Sequence, residues 1–428
     1  MMSPSPPSQF SMLPVKEAEL IILNLADRAA GFFDVENISL VEAAGRILAR
    51  PVTSHFDFPH WDNSAMDGYA VRYQDVIAST EHQPTCLELV GEIKAGTPPQ
   101  VSIKPGQAAR ILTGAMMPNG ADTVIMQEVT KVENNHVFIL KAPDSEAEFV
   151  RHGGQYYKAG EPLFSAGIVL NAPEVAVLAA VGCHQVPVYR QPKVAILSTG
   201  NELVTPEQIL QPGQIVDSNQ YALVAAVKNA GAVPVPLGIV KDDPEALKLA
   251  IYEALECADI VISTGGVSVG DYDYVEEVLS ALGGTIHISS VAIKPGKPLT
   301  VAKFHKSSNH QQVLYFGLPG NPVSTLVTFW RFVQPAIKKI SGLSNNYQPI
   351  FLPAKTRQNL HSDGKRESYL WGKLIAGKQG FEFELAGGNH SSANLINLAQ
   401  TNCLAIVPVG EKLISAGAEV QVMQIGNV

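Results

Sequence analysis

The sequence predicts a multi-domain protein that combines a central α/β domain with β-rich domains. The chain has 428 residues, more than one domain of about 150 residues needs. From Lys193 to Ser263, β-type runs alternate with helical runs, which is typical of a mostly parallel sheet with helices on both faces. Short β-type runs separated by turn residues dominate 55–146 and 345–428. We therefore expect a doubly wound α/β domain, a β-rich insertion and a small C-terminal β barrel.

The N-terminal part is predicted to be helical and extended. Residues 1–13, rich in proline and serine, are expected to form a disordered tail. Apolar residues at three- and four-residue spacing predict an amphipathic helix over 15–30, and we expect a second, shorter helix over 41–49. A third helix begins after Asn171. Because helices flank the β-rich insertion 55–146, we assign 14–54 and 147–186 to one discontinuous domain.

The central α/β domain is assigned to 187–341, and the barrel to 345–428. The predicted central strands are 194–197, 233–240, 259–263, 299–304 and 313–316, and the predicted helices are 221–230, 244–255 and one from Pro322 toward Ile340. Such sheets bind ligands at the carboxyl ends of their strands.

Composition excludes several classes of protein. The formal charge is −9, so no overall basic field attracts nucleic acid or anionic lipid. No apolar run approaches the roughly 20 residues that span a bilayer, and no N-terminal targeting segment is evident, which favours the cytoplasm. The cysteines are widely spaced, which favours reduced, buried thiols over disulfides or a zinc site; they are Cys86, Cys183, Cys257 and Cys403.

Two predicted parallel strands end in glycines followed by carboxylates. The first runs through Ser198, Thr199 and Gly200 to Glu202. The second runs through Gly265, Gly266 and Ser268 to Asp271 and Asp273. Glycine allows backbone N–H groups to approach an anion, and the acids can hold a divalent cation. An ordinary strand-to-helix turn explains one such loop, but two at equivalent places favour a binding site.

Two further loops add to this candidate binding site, and we call its glycine-bearing loops the glycine rim. Residues 317–322 (GLPGNP) follow another strand and open a helix, with Asn321 at the cap position and Pro322 at the first helical position. Lys294 and Lys297 flank a Pro-Gly turn and place two cations on a short, stiff loop. A solvated turn is the alternative explanation, and the nearby glycine rim favours oxyanion binding.

Other catalytic patterns have less support. Residues 266–270 (GVSVG) match the G-x-S-x-G pattern of serine hydrolases, which makes Ser268 a candidate nucleophile, but the neighbouring acids suit a metal better than a triad. The sequence has no H-E-x-x-H pattern and no Walker-type phosphate loop.

Six ordered motifs resemble the MoeA family of molybdopterin molybdenumtransferases, which includes the gephyrin E domain. They are 62–70 (DNSAMDGYA), 113–115 (TGA), 198–202 (STGNE), 265–270 (GGVSVG), 293–298 (IKPGKP) and 317–322 (GLPGNP). The resemblance implies a central domain of the molybdopterin-binding type and an elongated homodimer of four-domain subunits that share each active site. It implies that molybdate is inserted into adenylylated molybdopterin with Mg²⁺ assisting, AMP being released. Contact with the molybdopterin adenylyltransferase is also expected.

The resemblance implies roles for individual residues. Asp67 and Thr113 would approach from the partner subunit, and Lys294 with Lys297 would hold the phosphoanhydride and the molybdate dianion. The catalytic candidates are Asp67, Glu202, Asp242, Asp273 and Lys294, and the metal-binding candidates are Glu202, Asp242, Asp271 and Asp273. The substrate-binding candidates are Thr113, Ser198, Thr199, Gly200, Gly265, Gly266, Ser268, Lys297, Pro319, Gly320, Pro322 and Arg366.

The sequence departs from the family pattern at three positions. Tyr156 stands where an acid is common, Ser290 where a cation is frequent, and Trp371 where a second arginine is usual. Two alternative functions remain: a molybdopterin adenylyltransferase, whose motif Thr-Gly-Gly-Thr-Gly differs from 264–268 (TGGVS), and a non-catalytic scaffolding module like the gephyrin E domain.

Overall fold

The computed structural model describes residues 12–27, 34–266, 275–308 and 311–426. The chain divides into two compact units. The first unit contains the N-terminal part up to Ala49, Ala166–Asn171 and the chain from Val186 onward. The second unit contains Arg50–Ser165 and Ala172–Gln185. The two units interrupt each other in sequence, and the limits of the four expected domains stay a prediction.

The first helix of the chain, α1 (Val15–Leu25), buries Val15, Ala18 and Ile22 on one face, as its apolar spacing predicts. The short helix predicted over 41–49 is wrong. Only a single 3-10 turn, Leu40–Glu42, forms after strand β1 (Val35–Ser39). The N–H groups of Gly45 and Leu48 instead donate to the carbonyls of Leu170 and Ile168, so a distant segment pairs with this stretch and holds it extended.

The second unit is mostly β structure, as predicted. A six-stranded sheet in the order β7-β4-β6-β5-β9-β8 forms its centre. Alternate residues face two small cores, with Tyr69 and Val71 on one side of the sheet and Ala70 on the other. The elements of this part of the chain are β2 (Val52–Thr53), β3 (Asn63–Ser64), β4 (Gly68–Val71), α2 (Tyr73–Val76), β5 (Thr85–Ile93), β6 (Gln107–Ile111), β7 (Thr123–Met126), β8 (Thr130–Glu133), β9 (His136–Ile139), β10 (Val150–Arg151), β11 (Pro162–Phe164), α3 (Ala172–Ala180) and β12 (Gln185–Tyr189).

The central part is the predicted α/β sheet, in the order β16-β13-β17-β21-β20-β18. The first four strands are parallel, and β20 and β18 pair antiparallel at one edge. The elements are β13 (Lys193–Thr199), β14 (Leu203–Val204), β15 (Ile215–Val216), α4 (Ser218–Asn229), β16 (Val233–Val240), α5 (Pro244–Cys257), β17 (Ile260–Thr264), α6 (Val275–Ala281), β18 (Thr285–Ser290), β19 (Ile293–Lys294), β20 (Pro298–His305), β21 (Gln312–Leu318), α7 (Pro322–Thr328) and α8 (Gln334–Ile340).

Both faces of this sheet are covered by helices, which confirms the doubly wound class. Val194 and Ile196 of β13 belong to a core that includes buried residues of α4 and α7. Ala195 and Leu197, on the opposite face, belong to a core with α5 and α6. Side-chain caps fix where two of these helices begin, because the carboxylates of Asp217 and Asp243 accept hydrogen bonds from backbone N–H groups of the first turn.

The single helix predicted from Pro322 toward Ile340 is interrupted. A π-helical segment, Phe329–Val333, separates α7 from α8. The segment ends just before Pro335, which has no N–H to donate to the preceding turn. The wider π-helical turns thus occur where a regular α-helix would lack the hydrogen bond that Pro335 cannot donate.

The C-terminal part contains the small β barrel that the sequence predicts. Strands β24, β25, β22, β28 and β26 pair in this order, and β26 pairs again with β24, which closes the barrel. Strand β19 pairs with β24. It thereby connects the turn that carries Lys294 and Lys297, which we call the lysine turn, to the barrel. The elements are β22 (Phe351–Thr356), β23 (Leu360–His361), β24 (Glu367–Gly377), β25 (Gly380–Leu385), α9 (Leu395–Leu398), β26 (Cys403–Val407), β27 (Leu413–Ile414) and β28 (Glu419–Gln424).

The four cysteines are free thiols, but they are not all buried. Burial raises the pKa of Cys403 to about 12, so this thiol stays protonated. Cys86 and Cys257 are exposed, and the prediction of buried thiols is wrong for them. Within the described ranges, no helix is long and apolar enough to cross a bilayer.

Candidate active site

Three strands of the central sheet end side by side at one edge. The parallel register places Ser198 opposite Thr264, and Thr264 opposite Leu318. Gly265, directly after β17, has a φ of +86°, and a Cβ atom there would lie 2.5 Å from the carbonyl oxygen of Thr199. No other residue type fits this position without a backbone shift, so the close approach of the loops depends on this glycine.

The loops after these strands line a cleft of about 1290 Å³. The C-terminal part and the lysine turn line it as well. Most of the substrate-binding and catalytic candidates within the described residues lie on this cleft. They are Thr199, Gly200, Glu202, Asp242, Gly265, Gly266, Lys294, Lys297, Pro319, Gly320 and Arg366.

Among the described candidates of the first unit, two do not line the cleft, Ser198 and Pro322. Ser198 is fully buried beneath the rim, where its hydroxyl accepts a hydrogen bond from Thr264 at 3.2 Å. Pro322 lies at the start of α7, outside the lining. Ser268, Asp271 and Asp273 lie outside the described residues, so the serine-hydrolase alternative and half of the expected metal set stay predictions.

The lysine turn is held next to a second cation by one carboxylate. β19 pairs with the start of β24, which brings Lys294 close to Arg366. The Nζ atom of Lys294 lies 3.1 Å from Oδ2 of Asp363, and the guanidinium of Arg366 lies 3.8 Å from the same oxygen. The N–H of Lys365 and the ammonium of Lys294 lower the pKa of Asp363. The Lys294 side chain is 47% exposed, so an anion can reach it.

A reciprocal pair of hydrogen bonds positions the acidic side of the cleft. The N–H of Asn201 donates to Oδ2 of Asp242 at 3.1 Å, and the N–H of Asp242 donates to Oδ1 of Asn201 at 3.2 Å. The loops after β13 and β16 are therefore locked together. Glu202 folds back over Gly200, where a Cβ atom would lie 2.7 Å from a Glu202 carboxylate oxygen. Both carboxylates line the cleft.

In the second unit, Asp67 and Thr113 form a pair of their own. Gly68 lies opposite Ile111 in the sheet, so the residue before β4 meets the turn after β6. The N–H and the hydroxyl of Thr113 both donate to Oδ1 of Asp67 at 2.7 Å. These two bonds, the N–H first, lower the pKa of Asp67, and the carboxylate is therefore ionised at neutral pH.

The sequence did not reveal several cleft residues. Trp371, noted only as a departure from the family pattern, is 1% exposed and donates from Nε1 to Asn397 at 2.8 Å. The centroid of its ring lies 4.4 Å from the centroid of the His390 ring. Lys241 adds a cation to the lining, next to Asp242 in sequence. Asp363 does not itself line the cleft, but it restrains Lys294. The adjacent acids could have suggested Lys241, but no local signal points to His390 or Asp363.

Comparison with known proteins agrees with this architecture. Three family models match the chain: "MoeA N-terminal region (domain I and II)" over 13–182, "Probable molybdopterin binding domain" over 195–339, and "MoeA C-terminal region (domain IV)" over 353–425. The chain belongs to the MoeA family. The predicted family and fold class are thereby confirmed.

Relatives and solved structures match over nearly the whole chain. A molybdopterin molybdenumtransferase of Nostoc sp. is 57% identical over 99% of this chain and 96% of the relative. One from Haemophilus influenzae is 36% identical over 90% of this chain and 93% of the relative. The crystal structure of a molybdopterin biosynthesis MoeA protein from Pyrococcus horikoshii has a TM-score of 0.82 at 28% identity and covers 97% of this chain and 100% of its own.

Proposed function

We propose that this chain is a molybdopterin molybdenumtransferase that inserts molybdate into adenylylated molybdopterin and releases AMP. The observation that carries the proposal is the cleft itself, which has a volume of about 1290 Å³. Three glycine-bearing strand ends, the lysine turn and Arg366 line it. Substrates of this reaction are a phosphoanhydride and a tetrahedral dianion, and both need convergent donors and positive charge.

The arrangement of charge fits two anions held side by side. Lys294 and Arg366 share Asp363 and form a cationic wall next to the barrel. The glycine-bearing loops after β13 and β17 line another part of the cleft, and their lack of side chains allows an anion to approach the backbone closely. We assign the molybdate to the cationic wall and the phosphoanhydride to the glycine rim.

The acids of the cleft fit a magnesium ion. Mg²⁺ in phosphate sites is usually held by one or two carboxylates together with substrate oxygens and waters. Glu202 and Asp242 line the cleft, and Asp271 and Asp273 complete the expected set outside the described residues. Within the described ranges, no cluster of three His, Cys, Asp or Glu side chains forms a dedicated metal cage. A bound Mg²⁺ would neutralise charge on the anhydride.

The direct test is a single-turnover assay with the purified protein. Adenylylated molybdopterin, Mg²⁺ and molybdate are supplied together, and we expect release of AMP and formation of active cofactor. Omitting molybdate or Mg²⁺ is expected to suppress AMP release. Tight binding of the pterin without molybdate-dependent AMP release would contradict the proposal and support the scaffolding alternative.

We further propose a homodimer in which Asp67 and Thr113 of one subunit complete the site of the other. Asp67→Ala and Lys294→Ala subunits carrying different affinity tags are co-expressed, and the mixed dimer is isolated. Each variant alone is expected to be inactive, whereas the mixed dimer has one intact site and about half of the wild-type rate per dimer. A mixed dimer as inactive as the single variants would place the site within one subunit.

Contact with the molybdopterin adenylyltransferase and action in the cytoplasm complete the proposal. Both rest on the sequence resemblance and composition. A co-purification of the two enzymes, with the AMP-release assay run on the mixture, tests the first.

A further inference from the structure

A second cavity, of about 560 Å³, shares no lining residue with the active-site cleft. Segments 45–47, 167–169 and 189–191 line it, together with the C-terminal ends of α4 and α8. All of these belong to the first unit, and several adjoin the points where the chain leaves that unit or returns to it. Its size is within the usual range for small-ligand sites, roughly 300–1,000 Å³.

The charged side chains that line this cavity are all cationic. They are Arg46, Arg190 and Lys338, and none of its described lining residues is an aspartate or glutamate. The charge of Arg190 is balanced by two carboxylates that do not line the cavity. Its guanidinium donates to Asp259 at 2.9 and 3.1 Å and also pairs with Asp34. Arg46 uses one guanidinium nitrogen for Glu36 and for the carbonyl of Tyr189.

Lys338 is the uncompensated charge of the three. Among the residues that the structure describes, its ammonium has no hydrogen-bond or ion-pair partner, and burial lowers its pKa. The neighbouring Lys339 differs, because its Nζ donates to the carbonyl of Leu23 at 2.8 Å and pairs with Asp27. A half-buried ammonium without a counter-charge costs free energy unless an anion joins it.

The helix ends beside Lys338 do not supply that partner. The last carbonyls of α8 are already bonded, since the N–H groups of Gly342 and Leu343 donate to Lys339 and Lys338. After α4, the amide of Gln191 donates to the carbonyl of Gly231 at 3.0 Å. Attraction between Lys338 and the dipole of α8 remains, but it does not explain why two more cations line the same cavity.

We propose that this cavity is a binding site for a phosphate monoester. The phosphate would accept hydrogen bonds from Lys338 and from the guanidinium N–H groups of Arg46 that have no partner among the described residues. The side-chain amides of Asn345 and Asn346, which also line the cavity, supply further donors. Apolar contacts from Ile47 and Leu343 would cover the organic part of the ligand. This site is independent of the proposed transferase reaction.

Calorimetric titration of the full-length protein with AMP, inorganic phosphate and adenosine tests the site. All proteins carry Lys294→Gln and Arg366→Gln, so that the cationic wall of the active-site cleft is removed throughout and any AMP bound at the glycine rim is the same for every variant. Adding Lys338→Gln is expected to weaken AMP binding at least tenfold, adding Lys338→Arg to restore most of it, and adding the exposed control Lys373→Gln to leave it unchanged.

The comparison of ligands identifies what the site recognises. AMP binding without adenosine binding supports the proposal, and inorganic phosphate binding shows how much of the affinity the phosphate supplies alone. The proposal is overturned if AMP binds equally well with Lys338 and with Gln at this position. It is also overturned if adenosine binds as tightly as AMP, or if neither AMP nor phosphate binds. Equal thermal midpoints of the variants exclude misfolding as the cause of weaker binding.

Discussion

Lys294→Ala is expected to slow molybdate-dependent AMP release at least about 100-fold, the usual loss when one preorganised electrostatic group is removed from a reaction site. Lys294 is one of the few cations that line the cleft, and its position is fixed twice, by the pairing of β19 with β24 and by the contact with Asp363 at 3.1 Å. An ammonium held in place needs little reorganisation when an anion arrives. Single-turnover AMP release at saturating pterin substrate measures the effect.

Two matched variants separate charge from position at this site. Lys378→Ala removes an exposed lysine from the hairpin between β24 and β25 and is expected to leave the rate unchanged. Asp363→Asn keeps the shape of the side chain but weakens the restraint on Lys294 and Arg366, so a smaller loss is expected. If Lys294→Ala retains more than about a third of the wild-type rate, Lys294 does not stabilise the reacting anions.

The central sheet could be predicted because its signals are local. Residues 194–197 and 260–262 are continuous apolar runs, since strands of a doubly wound sheet are covered on both faces. Strand β16, predicted over 233–240, forms over Val233–Val240. The predicted convergence of the glycine loops also follows from local sequence, because parallel strands end at the same edge of their sheet.

Features that depend on distant segments could not be predicted in this way. The stretch after Glu42 has helical spacing, yet the N–H groups of Gly45 and Leu48 bond to residues more than a hundred positions away. The partnership of Lys294 with Asp363 likewise depends on β19 joining the barrel. Trp371 and His390 meet because β24 pairs antiparallel with β25, which places Trp371 beside the loop after β25. Periodicity and motif spacing contain no information about such pairings.

Glu19→Ala is expected to lower the free energy of unfolding by about 3–5 kcal/mol, because it leaves a buried guanidinium without its counter-charge. Arg331 is 5% exposed and donates to both carboxylate oxygens of Glu19, at 2.7 and 2.9 Å. Its Nε donates to the hydroxyl of Tyr369 at 3.0 Å, and that hydroxyl donates to Glu367 at 2.6 Å. Burial lowers the pKa of Arg331, whereas Glu19 and Tyr369 raise it. The guanidinium keeps its charge without Glu19 because arginine is not deprotonated in proteins.

This network joins α1, the π-helical segment and the barrel strand β24, which also lines the cleft, so its loss is expected to affect more than local packing. The exposed Glu17→Ala on the same helix is the control and is expected to cost less than about 1 kcal/mol. Replacing both partners, as Glu19→Leu with Arg331→Leu, is expected to recover much of the loss because no unpaired charge remains. Urea unfolding followed by tryptophan fluorescence measures all three variants. A double variant as unstable as Glu19→Ala would mean that packing around α1, rather than the buried charge, determines the cost.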